Sequence, residues 1–374
     1  VRFPPRGGDI GEPDKEAEVV AYYALAYDLL HGYLARDPDA LADARLRLAE
    51  EAERLYVGLR VSLGPLSLAL HDTPHLDNWH LRVYGALGLA ALVLSDFGAG
   101  TGHPPQAWAQ RAFDLVTAAL EYQSDTRDGG WAEGPFYLRY AADVYLPYML
   151  ALHRRQGIDL RADPTVARIH GWSLRLRLPS GRRPNVDDAH LDDFPGYALA
   201  ALAPDGPVHQ WDWQGRTAGP YVPQFAEMEG IVLYDDGAAA RPPEDGPTVF
   251  MPGAGDAVFR SSWSADATYL LLRGEHGRAR ERGLAHEHPD ETSLLLYAAG
   301  EMLAVDAGYI DYARHSAVNS AASHSLILVD GQGPPLRTLA GQVIGAGNDA
   351  FIENSFVSAA ADYAEVRASY QGAD

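Results

Sequence analysis

The sequence predicts an α+β protein in two domains, with helices in the N-terminal half and an antiparallel β-sheet in the C-terminal half. Apolar residues recur at helical spacing from about Lys15 to about Trp172. A polar stretch rich in Pro, Asp and Gly follows at Leu178 to Gly196, and short β-branched and aromatic runs begin near Thr248. Because 374 residues exceed one ordinary core, we assign residues 1–205 to a helical domain and residues 206–374 to a sheet domain.

Three helical stretches carry this prediction in the N-terminal half. They are "KEAEVVAYYALAYDLLHGYL", "NWHLRVYGALGLAALVLSDF" and "PPQAWAQRAFDLVTAALEYQ", and the last begins on prolines, as helices often do. Helix follows helix with no strand expected between them, which predicts helical hairpins in a bundle, solenoid or toroid. Pro147 in "DVYLPYMLALHRR" is expected to kink or divide its helix.

The strands of the C-terminal half are expected in "AVFRSSW", "TYLLLRG", "TSLLLYAAGEMLAVDAG" and "HSLILVDGQG". Consecutive hairpins without intervening helices predict an antiparallel sheet, and we expect it to form a β-sandwich. Strand-like runs continue up to the point where the sequence stops at Asp374, so we expect the sandwich to be incomplete.

Composition excludes several classes of function. With 30 Lys and Arg against 51 Asp and Glu, the net charge of −21 argues against nucleic acid or anionic membranes as partners. The absence of cysteine removes disulfides and thiolate nucleophiles. No apolar run reaches the roughly 20 residues that a membrane span needs. The sequence begins at Val1 without a charged and apolar leader, so we expect any signal peptide to have been removed or never present.

The stretch "HEHPD" gathers imidazoles and acids ahead of two expected strands. In an extended segment His286 and His288 would share one face, with Glu287 on the other. Asp306 ends the returning strand and His324 opens the next, so a His, an Asp and a His could converge on zinc. The alternative is a pair of ordinary surface histidines. Because no HExxH helix is present, a structural ion is favoured over a catalytic one.

Two motifs of the helical half and one arginine-rich run also contain candidate residues. In "DNWH" we expect Trp79 to face the core and Asn78 to cap a helix. In "DGGWAEGPFYLRY" three glycines allow backbone or ligand to approach closely, although Glu133 and the tyrosines fit plain helix packing equally well. The run "RGEHGRARERG", Arg273 to Gly283, is either a solvated loop or an anion binder.

Taken together, these motifs resemble the heparinase II/III-like family of polysaccharide lyases. The resemblance rests on "DNWH", "DGGWAEGPFYLRYA", "RRPNVDD", "PGAGDAVFRSSW", "HEHPDETSLLLYAAGEMLAVDAGYIDY" and "SHSLILVDGQGPP", and it spans roughly Leu76 to Pro335. It implies an incomplete (α/α) toroid followed by an antiparallel β-sandwich. It also implies β-elimination on a uronic-acid polysaccharide such as alginate or a glycosaminoglycan, a secreted or periplasmic location, and no organic cofactor.

The resemblance also implies roles for individual residues. Asn78 matches the residue that neutralises the substrate carboxylate, with His80 a nearby candidate. Tyr137 matches the acid, or both base and acid, and His286 matches the histidine from the sheet that acts as base or neutraliser. Tyr312 matches a second tyrosine in the cleft. The structural zinc ligands would be His288, Asp306 and His324. The expected substrate-binding residues are Trp79, Glu133, Arg139, Tyr140, Arg273 and Arg314.

Three other functions remain open on the sequence. A uronyl C5-epimerase would use similar residues without cleaving the chain. A catalytically inactive glycan-binding protein could share the scaffold. A glycoside hydrolase needs two carboxylates, for which Glu133 and Asp187 are candidates. The oligomeric state, including a homodimer, is also open.

Overall fold

The structure is a computed structural model that describes residues 13–63, 66–98, 100–191, 206–215, 239–311, 314–339 and 342–369. The chain divides into two compact units. The first comprises Val1–Tyr122 and Tyr140–Leu160, and the second comprises Gln123–Arg139 and Arg161–Asp374. The domain boundary expected between residues 205 and 206 lies next to residues 192–205, outside the described residues, and it stays a prediction.

The helices of the N-terminal part confirm the predicted helical order. They are α1 (Pro13–Leu34), α2 (Pro38–Val57), α3 (Asn78–Val93), α4 (Pro105–Gln123) and α5 (Gly134–Gln156). α3 is buried on nearly every side, and α1 and α2 both pack against it. A Cβ on Gly88 of α3 would lie 2.3 Å from the ring of Tyr148, so glycine is what allows α3 and α5 to approach here.

One expectation for this part was wrong, and of the two outcomes expected at Pro147, a kink or a division of the helix, the division does not occur. An antiparallel hairpin of β1 (Arg60–Leu63) and β2 (Leu66–Ala69) lies between α2 and α3, where no strand was expected. Four residues of alternation on each side of the turn are too short a signal to stand out beside long helical stripes. Pro147 does not divide its helix, because α5 continues through it to Gln156.

The C-terminal part contains the predicted antiparallel sheet. Its five strands lie in the order of the chain: β3 (Val249–Met251), β4 (Asp256–Arg260), β5 (Tyr269–Arg273), β6 (Leu294–Ala298) and β7 (Glu301–Ala304). Two further antiparallel pairs are β8 (Leu336–Leu339) with β9 (Gln342–Ala346), and β10 (Ala350–Phe356) with β11 (Tyr363–Ala368). The arrangement of these strands as a sandwich stays a prediction.

The strand expected in "HSLILVDGQG" is absent. His324 follows a 3-10 turn at Ala321–Ser323, and Val329 makes only an isolated bridge with Gln332. No residue from Ser325 to Val329 is fully buried, and Ile327 is 76% exposed, so the apolar run has no buried face that would hold it in a sheet.

Helix α6 (Pro164–Arg175) begins at its cap Asp163 and packs against the sheet. The Trp172 indole donates to Asp256 of β4 at 2.7 Å, and the Tyr269 hydroxyl of β5 donates to the Leu176 carbonyl at 3.1 Å. These bonds place the segment after α6 beside β4 and β5. The remaining helices among the described residues are α7 (Gly206–Gln214), α8 (Arg278–Glu281) and α9 (His315–Val318). Among the described residues, we find no helix long and apolar enough to cross a membrane.

Candidate active site

A single buried carboxylate, Asp188, binds three imidazoles in the second unit. The Oδ2 atom of Asp188 lies 2.7 Å from Nδ1 of His286. Its Oδ1 atom lies 3.0 Å from Nε2 of His288 and 2.8 Å from Nε2 of His315. Asp188 follows α6, His286 ends a 3-10 turn at Leu284–His286, and His315 begins α9. We call these four residues the Asp188 cluster.

The charge of Asp188 determines the state of its partners. Burial alone would raise its pKa, but hydrogen bonds from His286, His288 and His315 outweigh burial, so its pKa lies well below the usual range. An ionised carboxylate only accepts hydrogen bonds, so each imidazole donates through the nitrogen that faces it. In a neutral His286 the lone pair is therefore on Nε2, and in a neutral His288 it is on Nδ1.

The two histidines of "HEH" do face one common partner, as the alternation suggested, but they do not lie in a strand. His286 belongs to a 3-10 turn, and the strand β6 begins only at Leu294. Glu287 between them is fully buried, as is His288, whereas the His286 side chain is 18% exposed. His286 is thus the member of the pair that solvent can reach.

Tyr137 meets His286 face to face. The two ring centroids are 3.8 Å apart, with an angle of 32° between the ring planes. Tyr137 lies in the first turn of α5, which begins at Gly134. That glycine has φ 75°, and a Cβ on it would lie 2.9 Å from the Cβ of Asp187. The helix can start here because glycine tolerates both conditions. A tyrosine and a histidine from distant parts of the sequence therefore come together, as the resemblance implied.

Burial raises the pKa of Tyr137 above its ordinary value, and the neighbouring Asp188 and Tyr309 raise it further. The phenol is therefore protonated at neutral pH and has a proton to donate. Glu133 is 1% exposed, and its Oε1 atom lies 3.9 Å from Nε2 of His286. An imidazolium at His286 would thus have a carboxylate near each of its nitrogens.

Further aromatic rings extend from this pair. The Tyr309 ring centroid lies 6.3 Å from that of Tyr137 and 5.3 Å from that of His190, and Phe136 lies 4.9 Å from His190. All four rings are half-buried. Partly exposed aromatic rings and imidazoles are the kind of surface on which a sugar ring can pack. The expected second tyrosine, Tyr312, lies outside the described residues.

Four residues of this site were missed from the sequence: Asp188, His190, Tyr309 and His315. A signal was present in "NVDDAH", where two acids and a histidine follow the arginine pair, but only Asp187 was considered there, as a hydrolase carboxylate. That role does not fit, because Asp187 is 2% exposed and its Oδ2 lies 3.0 Å from Arg273.

The motif "DNWH" lies in the first unit, and the expectations for it need correction. Asp77 caps α3, not Asn78, and it shares a capping box with His80. Asn78 is 1% exposed and His80 is fully buried, whereas Trp79, expected in the core, is half-buried. The ring nitrogens of His80 lie 2.8 Å from Asp77 Oδ1 and 2.9 Å from the Leu70 carbonyl. His80 is therefore fully occupied in holding the helix start.

Tyr140 also belongs to the first unit. Its hydroxyl donates to Asp14 and lies 2.6 Å from Nζ of Lys15, while the guanidinium of Arg82 lies 3.7 Å from its ring centroid. Tyr140 thus joins an ion network, and Tyr137 is the tyrosine that contacts His286.

The arginines expected to bind substrate differ in their surroundings. Arg273 is fully buried among carboxylates and cannot meet an anionic ligand, so it is not part of a solvated loop. Arg139 is 8% exposed. Arg314 is exposed, and its Nε donates to Asp311 at 2.8 Å.

The residues expected to bind a metal lie together. His288, Asp306 and His324 each offer a ligand atom, and these atoms lie within 4.8 Å of one another in a buried position. The Nδ1 atom of His324 lies 2.7 Å from Asp306 Oδ2. Nδ1 of His288 and Nε2 of His324 are buried and have no hydrogen-bond partner among the described residues. Two such nitrogens beside a carboxylate suit a metal ion with mixed N and O ligands.

Comparison with known proteins agrees with this architecture. Residues 244–371 match the family described as "Heparinase II/III-like, C-terminal", which confirms the resemblance to the heparinase II/III-like family. A search of the curated proteins found no match.

Several solved structures share the fold at low sequence identity. A structure of heparinase III is 13% identical, with a TM-score of 0.65, and the match covers 92% of this chain and 49% of that one. A heparinase III described as the BT4657 gene product is 15% identical, with a TM-score of 0.64 and coverage of 95% and 49%. The heparan sulfate lyase HepC from Pedobacter heparinus is 18% identical, with a TM-score of 0.58 and coverage of 93% and 48%. The chain thus spans about half the length of these proteins.

Proposed function

We propose that this protein is a polysaccharide lyase that cleaves a uronic-acid-containing polysaccharide by β-elimination. The observation that carries the proposal is the contact between Tyr137 and His286, with Asp188 orienting the imidazole. The heparinase II/III-like C-terminal domain and the likeness to a heparan sulfate lyase support the same class. The proposal includes the toroid, the sandwich and a secreted or periplasmic location, which stay predictions from the resemblance.

The base in this proposal is His286. The C5 hydrogen of a uronate is weakly acidic, so its removal needs a base with an accessible lone pair. Because Nδ1 of His286 donates to Asp188, its Nε2 carries the lone pair and accepts the proton. Asp188 and Glu133 then stabilise the imidazolium. This is the role that a carboxylate plays behind a catalytic histidine.

The acid is Tyr137, whose raised pKa keeps its proton in place at neutral pH. As the C5–H bond breaks, its electron pair forms the C4–C5 double bond and the C4–O4 bond breaks. The phenol donates its proton to the departing O4. Transfer of a proton from His286 to the phenolate then restores both groups, whose rings lie in contact.

Substrate binding in this proposal uses the half-buried rings of Phe136, His190 and Tyr309 beside the catalytic pair. Asn78 is kept as the candidate that neutralises the uronate carboxylate, a role implied by the resemblance alone. His80 is left out because both of its ring nitrogens are already bonded.

We also propose that His288, Asp306 and His324 hold a structural zinc ion. Their donor set of two imidazoles and a carboxylate is one that zinc accepts when cysteine is absent. The ion would supply a rigid link between the segments that carry these residues. His288 also donates to Asp188, so the site would fix the far side of the Asp188 cluster.

The test is incubation with a panel of uronate polymers, including heparan sulfate, heparin and alginate. Products are followed by the ultraviolet absorbance of the unsaturated uronate and by mass. We expect chain cleavage that creates a new double bond. In Tyr137→Phe the rate of cleavage should be about 10²–10⁴-fold lower. Tyr363→Phe is the matched control, since Tyr363 lies on β11 and is 46% exposed.

Other products would contradict the proposal in distinguishable ways. A hydrated end without a double bond would indicate a hydrolase. Changed C5 stereochemistry in an intact chain would indicate an epimerase. Binding without turnover on every polymer would indicate an inactive glycan-binding protein.

A further inference from the structure

A second group of ionisable residues lies in the interior of the second unit, around Arg273. The guanidinium of this arginine contacts four carboxylates, at 3.0 Å from Asp187, 3.1 Å from Asp256, 2.6 Å from Glu275 and 3.5 Å from Asp290. The arginine and all four acids are 3% exposed or less. One buried cation therefore faces four buried acids.

Glu287 adds a fifth carboxylate to this interior. It is fully buried, and its oxygen atoms lie close to those of Asp187 and Glu275: one ligand atom from each residue falls within 4.8 Å of the others. Ionised carboxylates are strongly unfavourable in the interior without partners, so positive charge must be supplied by protons or by a cation.

The hydrogen bonds around Arg273 leave several carboxylate oxygens without a donor. Arg273 engages Oδ2 of Asp187 and Oε1 of Glu275. The other oxygens, Oδ1 of Asp187 and Oε2 of Glu275, are buried without a hydrogen-bond donor among the described residues, and so are both oxygens of Glu287, which lies within hydrogen-bonding reach of Glu275. Each of the three acids thus has at least one oxygen without a donor, and one ligand atom from each lies within 4.8 Å of the others.

We propose that Asp187, Glu275 and Glu287 bind a hard divalent cation of the calcium class. All available ligand atoms are carboxylate oxygens. Such atoms suit Ca²⁺ and Mg²⁺ better than zinc. The interior position favours Ca²⁺, because Mg²⁺ gives up its water shell reluctantly. This site is separate from the trio of His288, Asp306 and His324, which offers two nitrogens.

The site also has a place in the architecture of the active site. Asp187 immediately precedes Asp188, and Glu287 lies between His286 and His288. A cation bound there would tie the segment that carries Asp188 to the segment that carries His286. This positioning role rests on the proposed function, whereas the binding itself does not.

Terbium luminescence tests the binding directly. Tb³⁺ replaces Ca²⁺ at oxygen sites and is excited by nearby indoles, and Trp172 donates to Asp256 at the edge of the cluster. The full chain is stripped with a chelator, resupplied with zinc and titrated with Tb³⁺. We expect saturable binding of one ion per chain that Ca²⁺ displaces. Glu287→Gln should weaken binding at least about tenfold, because it removes one charged ligand.

Two variants serve as controls. Glu291→Gln makes the same change at a buried acid four positions away that does not belong to the group of Asp187, Glu275 and Glu287. This variant should bind Tb³⁺ like the parent. His324→Gln alters the nitrogen-containing site and should also keep Tb³⁺ binding. Equal Tb³⁺ affinity in the parent and Glu287→Gln, or no saturable binding in the parent, would overturn the proposal and assign the missing charge to protons.

A second measurement covers the case in which Glu287→Gln fails to fold. The thermal midpoint of the stripped parent should rise with Ca²⁺ and rise less with Mg²⁺ at equal concentration. No change with Ca²⁺ would overturn the proposal. Calcium binding in a protein that cleaves none of the uronate polymers would defeat the proposed function and leave this inference standing.

Discussion

Asp187 and Asp188 are neighbours in the chain and are both buried, yet their pKa values move in opposite directions. Burial raises the pKa of Asp187 to about 7, with Arg273 lowering it and Asp290 raising it. Burial would also raise the pKa of Asp188, but three imidazole donors lower it well below the usual range. The comparison teaches that burial decides the pKa of an acid that shares one cation with other acids, whereas three donors of its own outweigh burial at Asp188.

The backbone separates the two side chains. Asp187 has φ 54°, a left-handed conformation that aspartate adopts more readily than most residues. Its side chain joins Arg273 among carboxylates, while that of Asp188 joins His286 among imidazoles. One turn of the chain thus serves a carboxylate-rich interior and the proposed active site.

The largest expected effect comes from removing the charge of Asp188. In Asp188→Asn the shape is kept, but the amide can also donate, so His286 is no longer held with its lone pair on Nε2. We expect kcat on the uronate polymer to fall about 10²–10⁴-fold with a smaller change in KM, as for other carboxylate–histidine pairs.

Asp187→Asn makes the same change one residue earlier and is the matched comparison. It should alter calcium binding and stability more than the ratio of kcat to KM. Steady-state kinetics of both variants measures kcat and KM, and thermal unfolding measures their stability. If the two variants lost kcat equally with equal stability, the two acids would not have the separate roles assigned here.

The next effect concerns the far side of the Asp188 cluster. Nε2 of His288 donates to Asp188. Within the trio of His288, Asp306 and His324, Nδ1 of His288 is one of two buried nitrogens without a hydrogen-bond partner among the described residues. At a free zinc concentration of about 100 to 1,000 times the Kd of this site, zinc binding should raise the unfolding free energy by about 3–4 kcal/mol. Metal analysis and unfolding with and without zinc measure this. His324→Gln should abolish the gain, and an equal gain in that variant would contradict the assignment.

A further effect, on the pH dependence of stability, is expected from a buried acid that lacks such donors. Burial, with the charge of Asp290, raises the pKa of Glu291 from 4.5 to about 8. Between these values the folded protein holds a proton that the unfolded chain has lost. The unfolding free energy should therefore fall as pH rises through this window, by up to about 1.4 kcal/mol per pH unit.

Urea unfolding of Glu291→Gln across this pH range isolates that contribution, because the variant should lose this part of the slope. Glu281→Gln is the control, since the Glu281 side chain is 60% exposed. An unchanged slope in Glu291→Gln would mean that Glu291 is already ionised in the folded protein.

The fold was more accessible from the sequence than the chemistry of the site. Long helical stripes and the hairpins of β4 to β7 follow from periodicity, whereas the β1–β2 hairpin is too short to detect. Tyr137, His286 and the trio of His288, Asp306 and His324 were found through motifs.

Asp188, His190, Tyr309 and His315 were not found, because their roles depend on which of several polar residues the loops bring together. The burial of Arg273 was missed for a related reason. In sequence it looks like one arginine among four in a cationic run, and only the fold shows that it enters the interior while Arg278 and Arg282 do not.

The smallest effect is expected from an ion pair at the protein surface. Arg45 donates to Asp96 at 2.7 Å and lowers the pKa of that acid, but the Asp96 side chain is 72% exposed. Water screens this pair, so Arg45→Ala should change the unfolding free energy by less than about 1 kcal/mol. Arg183→Ala breaks a pair with Asp212 at 3% and 1% exposure, and it should cost about 3–5 kcal/mol because a buried charge loses a partner. Urea unfolding of the two variants side by side measures the difference. Similar losses in both would mean that burial does not set the value of a charged donor in this protein.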